Sequence, residues 1–175
     1  MKNVLYILLM VIMMIPSSIM AKKVDKQKFM QEWSTYEVTT VAVGSAGTKS
    51  LKVWGYGKNM AKAIEQAKKN AVHACLFRGC PGSGNVNETP AIFKLQGNDQ
   101  VALENFEYFY DFFEENNTYI SFVNLTTDGM PSGQDRHEVK GGYKVAIYVQ
   151  IMFDNLRDKM KNDGILKDSQ AGFSY

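Results

Sequence analysis

Histidine and cysteine are scarce in this chain, with two of each in 175 residues and only four prolines. No pair of histidines stands at metal-ligand spacing, and the cysteines lie in CLFRGC, residues 75–80, which is not the CxxC of redox or zinc sites. Neither His73 nor His137 has a serine or cysteine partner in a setting known for nucleophilic catalysis. A dominant charge is missing too: 20 Lys and Arg face 18 Asp and Glu, or 19 against 18 once Lys2 is set aside with the N-terminal segment. Such balance excludes a general nucleic-acid binder. Past the N-terminus no run is apolar enough to cross a membrane, and there is no low-complexity tract or solenoid repeat.

What the chain does have begins at its N-terminus. Lys2, an apolar run from Val4 to Ile15, Pro16, two serines and Ile19-Met20-Ala21 have the pattern of a secretory signal peptide with cleavage after Ala21. No cysteine follows the run to carry a lipid, so a non-lipidated, exported protein of the periplasm or cell envelope is expected. The remainder divides into an arm at 22–35 bearing Phe29 and Trp33, one domain at 36–165, and a tail at 166–175.

Within the domain the period of the apolar residues changes several times. YEVTTVAV at 36–43 and LKVWGYG at 51–57 read as a strand pair. From Lys58 a three- and four-residue step through Met60, Ile64, Ala67, Ala71, Ala74 and Cys75 predicts a helix, with Lys62, Glu65, Lys69 and His73 on its polar face. A second helix, capped by Asn98 or Asp99 and running to 116, carries an aromatic stripe of Phe106, Phe109 and Phe113. Glu104, Glu107, Asp111 and Glu114 lie opposite and read as a solvated face rather than a catalytic carboxylate pair. YISFVNL at 119–125 and GGYKVAIYVQIMF at 141–153 read as strands separated by a polar loop at 126–138, and a last helix starts at Asp154 and stops at Gly164. The order β-β-α-α-β-β-α gives an α+β domain, an antiparallel four-stranded sheet with its helices on one face.

Two motifs invite a chemical reading and lose it. GYGKNM at 55–60 has the first two glycines of a dinucleotide fingerprint but Met60 in place of the third, and PGSG at 81–84 lacks the lysine and hydroxyl of a phosphate loop. No cofactor, metal or catalytic residue is expected. Cys75 and Cys80 are more informative, because nearby thiols in an exported protein tend to pair, and a disulfide between them would pin the helix end to its loop.

Alternation places Lys52, Trp54 and Tyr56 on the strand face away from the helices, and Tyr148 and Met152 on the matching face of the last strand. Together Trp54, Tyr56, Tyr148 and Met152 form a candidate protein-contact surface, unless the arm covers it through Phe29 and Trp33. The alternative function is an enzyme or small-ligand carrier with a pocket between the aromatic helix and the sheet, lined by Tyr108, Tyr110 or Asn124. Asn87, Asn116 and Asn124 begin N-x-Thr sequons, relevant only in a glycosylating host.

VWGYGKNMAKAIEQAKKNAVHACLFRG, then YISFVNL and EVKGGYKVAIYVQIMFDNLRDKM, resembles the N-terminal domain of flagellar assembly protein T and small bacterial envelope lipoproteins of the same layout. A glycine-bearing strand before an alanine-rich helix and a late strand ending like GGYKVAIYVQI carry the resemblance over about residues 36–160. It implies a non-enzymatic envelope accessory or assembly protein, whose partner is another envelope protein or a second copy of itself. The aromatic helix at 98–116 and the lack of a lipidation cysteine depart from that pattern.

Overall fold

The computed structural model describes residues 36–44, 47–94, 98–127 and 129–167. The signal peptide and the arm read from the sequence lie outside the described residues, as does most of the tail. The fold is α+β. Its antiparallel sheet has five strands, β1 (Val38–Val43), β2 (Thr48–Gly57), β3 (Val123–Leu125), β4 (Arg136–Val139) and β5 (Gly142–Met152), ordered β1-β2-β5-β3 with β4 also paired to β5. The helices are α1 (Met60–His73), α2 (Asn98–Glu104), α3 (Phe106–Tyr110) and α4 (Phe153–Asn162).

The strand absent from the sequence reading is β4, which occupies part of the expected polar loop. Val139 pairs with Gly142 across Lys140 and Gly141, and Gly141 takes φ 88, a conformation glycine adopts without strain. β3 and β4 share one edge of β5, β3 against Val149–Ile151 and β4 against Gly142–Val145, while β2 covers the other edge. The expected strand at 119–125 is shorter, because Asn117 at φ 51 starts a 3-10 turn over Thr118–Phe122 and buries Tyr119 and Phe122. The aromatic helix breaks at Asn105 and ends as a wide turn over Asp111–Glu115. Asp154 lies in the first turn of α4 rather than capping it.

Helix α1 begins where the Asn59 side chain accepts the Lys62 backbone N–H at 2.9 Å. It lies on the sheet face that carries Leu51, Val53, Gly55 and Gly57, and its alanines at 63, 67 and 71 are fully buried there. The two glycines of GYG are thus packing residues. A Cβ on Gly55 would overlap the backbone of Ala63 and Ala67, and one on Gly57 would overlap that of Lys62 and Ala63. Beyond α1, Phe77, Phe93 and Phe109 pack with ring centroids 4.9–6.0 Å apart and join Phe113, Tyr119, Ile147, Val149 and Ile151 in one core.

That aromatic layer overturns one sequence expectation. Lys69 and His73, placed on a polar face, are 5% and 8% exposed because residues on the layer's side close over α1. Lys69 meets both oxygens of Glu114 at 2.8 and 2.7 Å and lies 3.5 Å from Glu65. Neutralising Glu114 leaves the buried ammonium with only the longer contact to Glu65. Glu114→Gln is therefore expected to lower stability by about 2 kcal/mol, less than a fully buried pair would lose because Glu114 is partly exposed. Urea unfolding of the variant checks this, and an unchanged midpoint would contradict it.

Candidate functional site

The outer sheet face is built by register. Lys52 pairs with Tyr148, Trp54 with Ala146 and Tyr56 with Lys144, so the odd positions of β2 turn inward and these even ones outward. The result is an alternating row of rings and ammonium groups. Lys52 Nζ lies 5.2 Å from the Tyr148 ring and 5.7 Å from the Trp54 ring, while Lys144 Nζ lies 4.7 Å from Trp54 and 5.6 Å from Tyr56. Each separation is within cation–π reach.

The unforeseen β4 hairpin completes the row. It lays the His137 ring on Trp54, centroids 5.4 Å apart and planes 21° from parallel. The turn just before it brings Asp135 Oδ1 to 2.6 Å from Lys52 Nζ, and Glu37 Oε1 lies 2.6 Å from Lys144 Nζ. These carboxylates hold both ammonium groups above the usual lysine range. Trp54 and Tyr148 are consequently half-buried by their own neighbours, and Tyr56 is the most open ring of the row at 47% exposure.

Of the four residues expected on this surface, the structure brings Trp54, Tyr56 and Tyr148 together. Met152 shares their face but stands four positions beyond Tyr148, opposite Thr48 at the far end of β5, and is outside the row. Lys52 and Lys144 were legible from the same alternation as the rings. His137 and Asp135 were not, since their placement depends on a hairpin whose sequence signal is only the Gly141-Gly142 pair after RHEV.

The space between the aromatic helix and the sheet is filled. Phe109, Phe113 and Tyr119 are at most 1% exposed there. Tyr108 donates to Asp163 Oδ2 at 2.5 Å, Tyr110 stacks on Phe106, and Asn124 sits on the exposed edge strand β3. An open cleft of about 660 Å³ lies elsewhere, between the start of β1 and the loop after α1, lined by Glu37, Val38, Arg78, Cys80, Glu88 and Lys94 among others. Arg78 Nη1 donates to the Tyr36 carbonyl at 3.0 Å and stacks over the Tyr36 ring at 4.3 Å.

Cys80, itself buried, borders this cleft, and Cys75 lies beside it in the core. Their sulfurs are 3.6 Å apart, whereas a disulfide needs about 2.05 Å, so both are free thiols and the expected bridge is not present. Among the described residues no group of three His, Cys, Asp or Glu side chains could hold a metal ion, and no helix is long and apolar enough to cross a membrane.

The fold and face define an α+β protein with an aromatic–cationic sheet surface. No family model, curated protein or solved structure matches the chain.

Proposed function

We propose that this chain is an exported, non-enzymatic accessory or assembly protein of the bacterial cell envelope, acting through protein–protein contacts on the outer face of β2 and β5. The observation that carries the reading is the row Tyr148, Lys52, Trp54, Lys144 and Tyr56, in which rings and ammonium groups alternate on an open sheet face. Export is supported by the Lys2, Val4–Ile15 and Ala21 pattern, and the envelope role by the resemblance of the β2–α1 and β5 segments. Aromatic side chains bring large contact area with little rotamer freedom to lose, and the carboxylates beside the lysines keep the face near neutral. The partner is another envelope protein or a second copy.

Trp54→Ala combined with Tyr148→Ala tests this. The helical and strand circular dichroism is expected to persist, while recovery of the complex from cross-linked cells falls at least about tenfold, as for loss of central interface anchors. Undiminished association of the folded double variant would rule the surface out.

A second reading, a small-ligand protein, is favoured by the cleft at β1 rather than by the aromatic helix. A metabolite that raises the melting temperature of the wild type but not of an Arg78→Ala variant would support it.

A further inference from the structure

The thiol pair has a geometry that its sequence spacing alone does not supply. In an α-helix, side chains four apart are neighbours, but Cys75 and Cys80 are five apart. The last turn of the helical run, Ala74–Arg78, is a π-turn, closed by the Gly79 N–H donating to the Ala74 carbonyl at 2.7 Å. This wider ring stacks each residue near the one five positions on. Gly79 then takes φ 82, where a Cβ would lie 2.9 Å from the Thr89 carbonyl oxygen, and turns the chain so that Cys80 comes back over Cys75.

Both cysteines are held from the backbone. Cys80 exchanges hydrogen bonds with Thr89 at 2.8 and 2.9 Å, and the Cys75 carbonyl accepts from Ile92 at 2.9 Å. The sulfurs, 3.6 Å apart, are therefore kept in contact by the fold rather than by chance encounter. The two are not equivalent. Both are buried, but Cys80, at 1% exposure, borders the cleft, while Cys75, at 0%, lies behind it in the core.

We infer that Cys75 and Cys80 are a thiol–disulfide exchange pair in which Cys80 reacts first, from the cleft, and Cys75 resolves the intermediate. The co-reactant is a disulfide, RSSR, carried by a small molecule or a partner protein. The Cys80 thiolate attacks one donor sulfur, the donor S–S bond breaks, and RS⁻ leaves to take a proton. Cys75 then loses its proton to solvent and attacks the Cys80 sulfur, releasing the second RS⁻. Two protein thiols are oxidised to one disulfide, and one donor disulfide is reduced to two thiols.

The hydrogen bond between the sulfurs supports that order. The contact with Cys80, together with burial, pushes the Cys75 thiol up, and the contact with Cys75 draws Cys80 down, so thiolate character collects on the sulfur nearer the cleft. Attack by Cys80 also leaves the resolving sulfur already in place.

The experiment uses the purified full chain, folded, with oxidised glutathione as the donor, followed by acid quench, alkylation and intact-mass analysis. The wild type is expected to lose two hydrogens and to carry no glutathione. Cys75→Ser is expected to accumulate one glutathione on Cys80 roughly tenfold faster than Cys80→Ser does on Cys75. Equal rates in the two variants, or a wild type that keeps two alkylatable thiols, would overturn the inference. The wild-type arm decides even if a variant fails to fold. A reactive protein donor in place of the small molecule would appear as a mixed disulfide on Cys75→Ser purified from cells without added glutathione.

Discussion

Gly55→Val is expected to unfold the domain. A Cβ at this position would overlap the carbonyl oxygen of Ala63 and the amide nitrogen of Ala67 and lie 2.8 Å from Ala67 Cα, and all three are helix backbone. No rotamer change relieves a clash with backbone. Helix α1 would have to lift from β2 and β5, opening the layer that buries Leu51, Val53, Ala63, Ala67 and Ala71. Overpacking that side chains can absorb costs about 1–3 kcal/mol, and this change adds lost burial along a whole helix face. A loss above about 4 kcal/mol is expected, against a total of about 5–15 kcal/mol for a domain. Gly55→Ala should show a smaller part of the same effect. Urea unfolding followed by circular dichroism reads both, with Thr39→Ala on the outer face of β1 as a near-neutral control. A valine variant that unfolds at the wild-type midpoint would mean the helix does not approach the strand this closely.

Acid is expected to destabilise the protein through His73, by about 2–3 kcal/mol between pH 7 and pH 4.5. His73 is buried with its Nδ1 hydrogen-bonded to the Tyr36 hydroxyl at 2.8 Å, and Phe77 packs 5.0 Å from its ring. Burial pushes its pKa down to about 3, and the Arg78 guanidinium adds to the shift. The folded pKa is thus below the unfolded value, so the unfolded chain takes up a proton below about pH 6.5 that the folded chain refuses. Stability present above that pH is lost as pH falls toward 3. Glu65 and Asp163, whose carboxyls are held below the usual range, add their own loss only at lower pH. Urea midpoints at pH 7 and 4.5 should converge for His73→Gln and diverge for the wild type. An equal acid loss in both would assign the sensitivity elsewhere.

The regular parts of this fold were legible because they obey one period over many residues. β5 alternates from Tyr143 to Ile151, and its inward set is what the core buries. The same rule oriented Trp54, Tyr56 and Tyr148 outward. The alanine stripe of α1 was legible for the same reason, but the packing role of Gly55 and Gly57 beside it was not. Their close approach to the helix is visible only once Ala63 and Ala67 are in place.

What escaped the sequence depends on distant residues. His73 and Lys69 obey the polar period of α1 but are covered by Tyr36 on one side and by Glu114 and Tyr119 on another. β4 carries only Val139 as an apolar residue, so RHEV has no periodic signal and forms because β5 offers it an edge. His137 consequently moved from a loop to a ring stacked on Trp54. The π-turn at Ala74–Arg78 has no sequence signature beyond the glycine that ends it, and the contact between Cys75 and Cys80 depends on it.

The claim that the outer sheet face is the contact surface is tested most directly by photocross-linking from that face in intact source cells. Tyr56→p-benzoylphenylalanine keeps an aromatic ring at the most open position of the row, and Leu103→p-benzoylphenylalanine, exposed on α2, serves as the control. A discrete cross-linked species is expected from position 56, either one recurring envelope protein or a second copy of this chain. It should be absent from position 103 and lost when Trp54 and Tyr148 are both alanine. Cross-links of equal yield from both positions, or none from position 56 while the complex still forms, would contradict the claim.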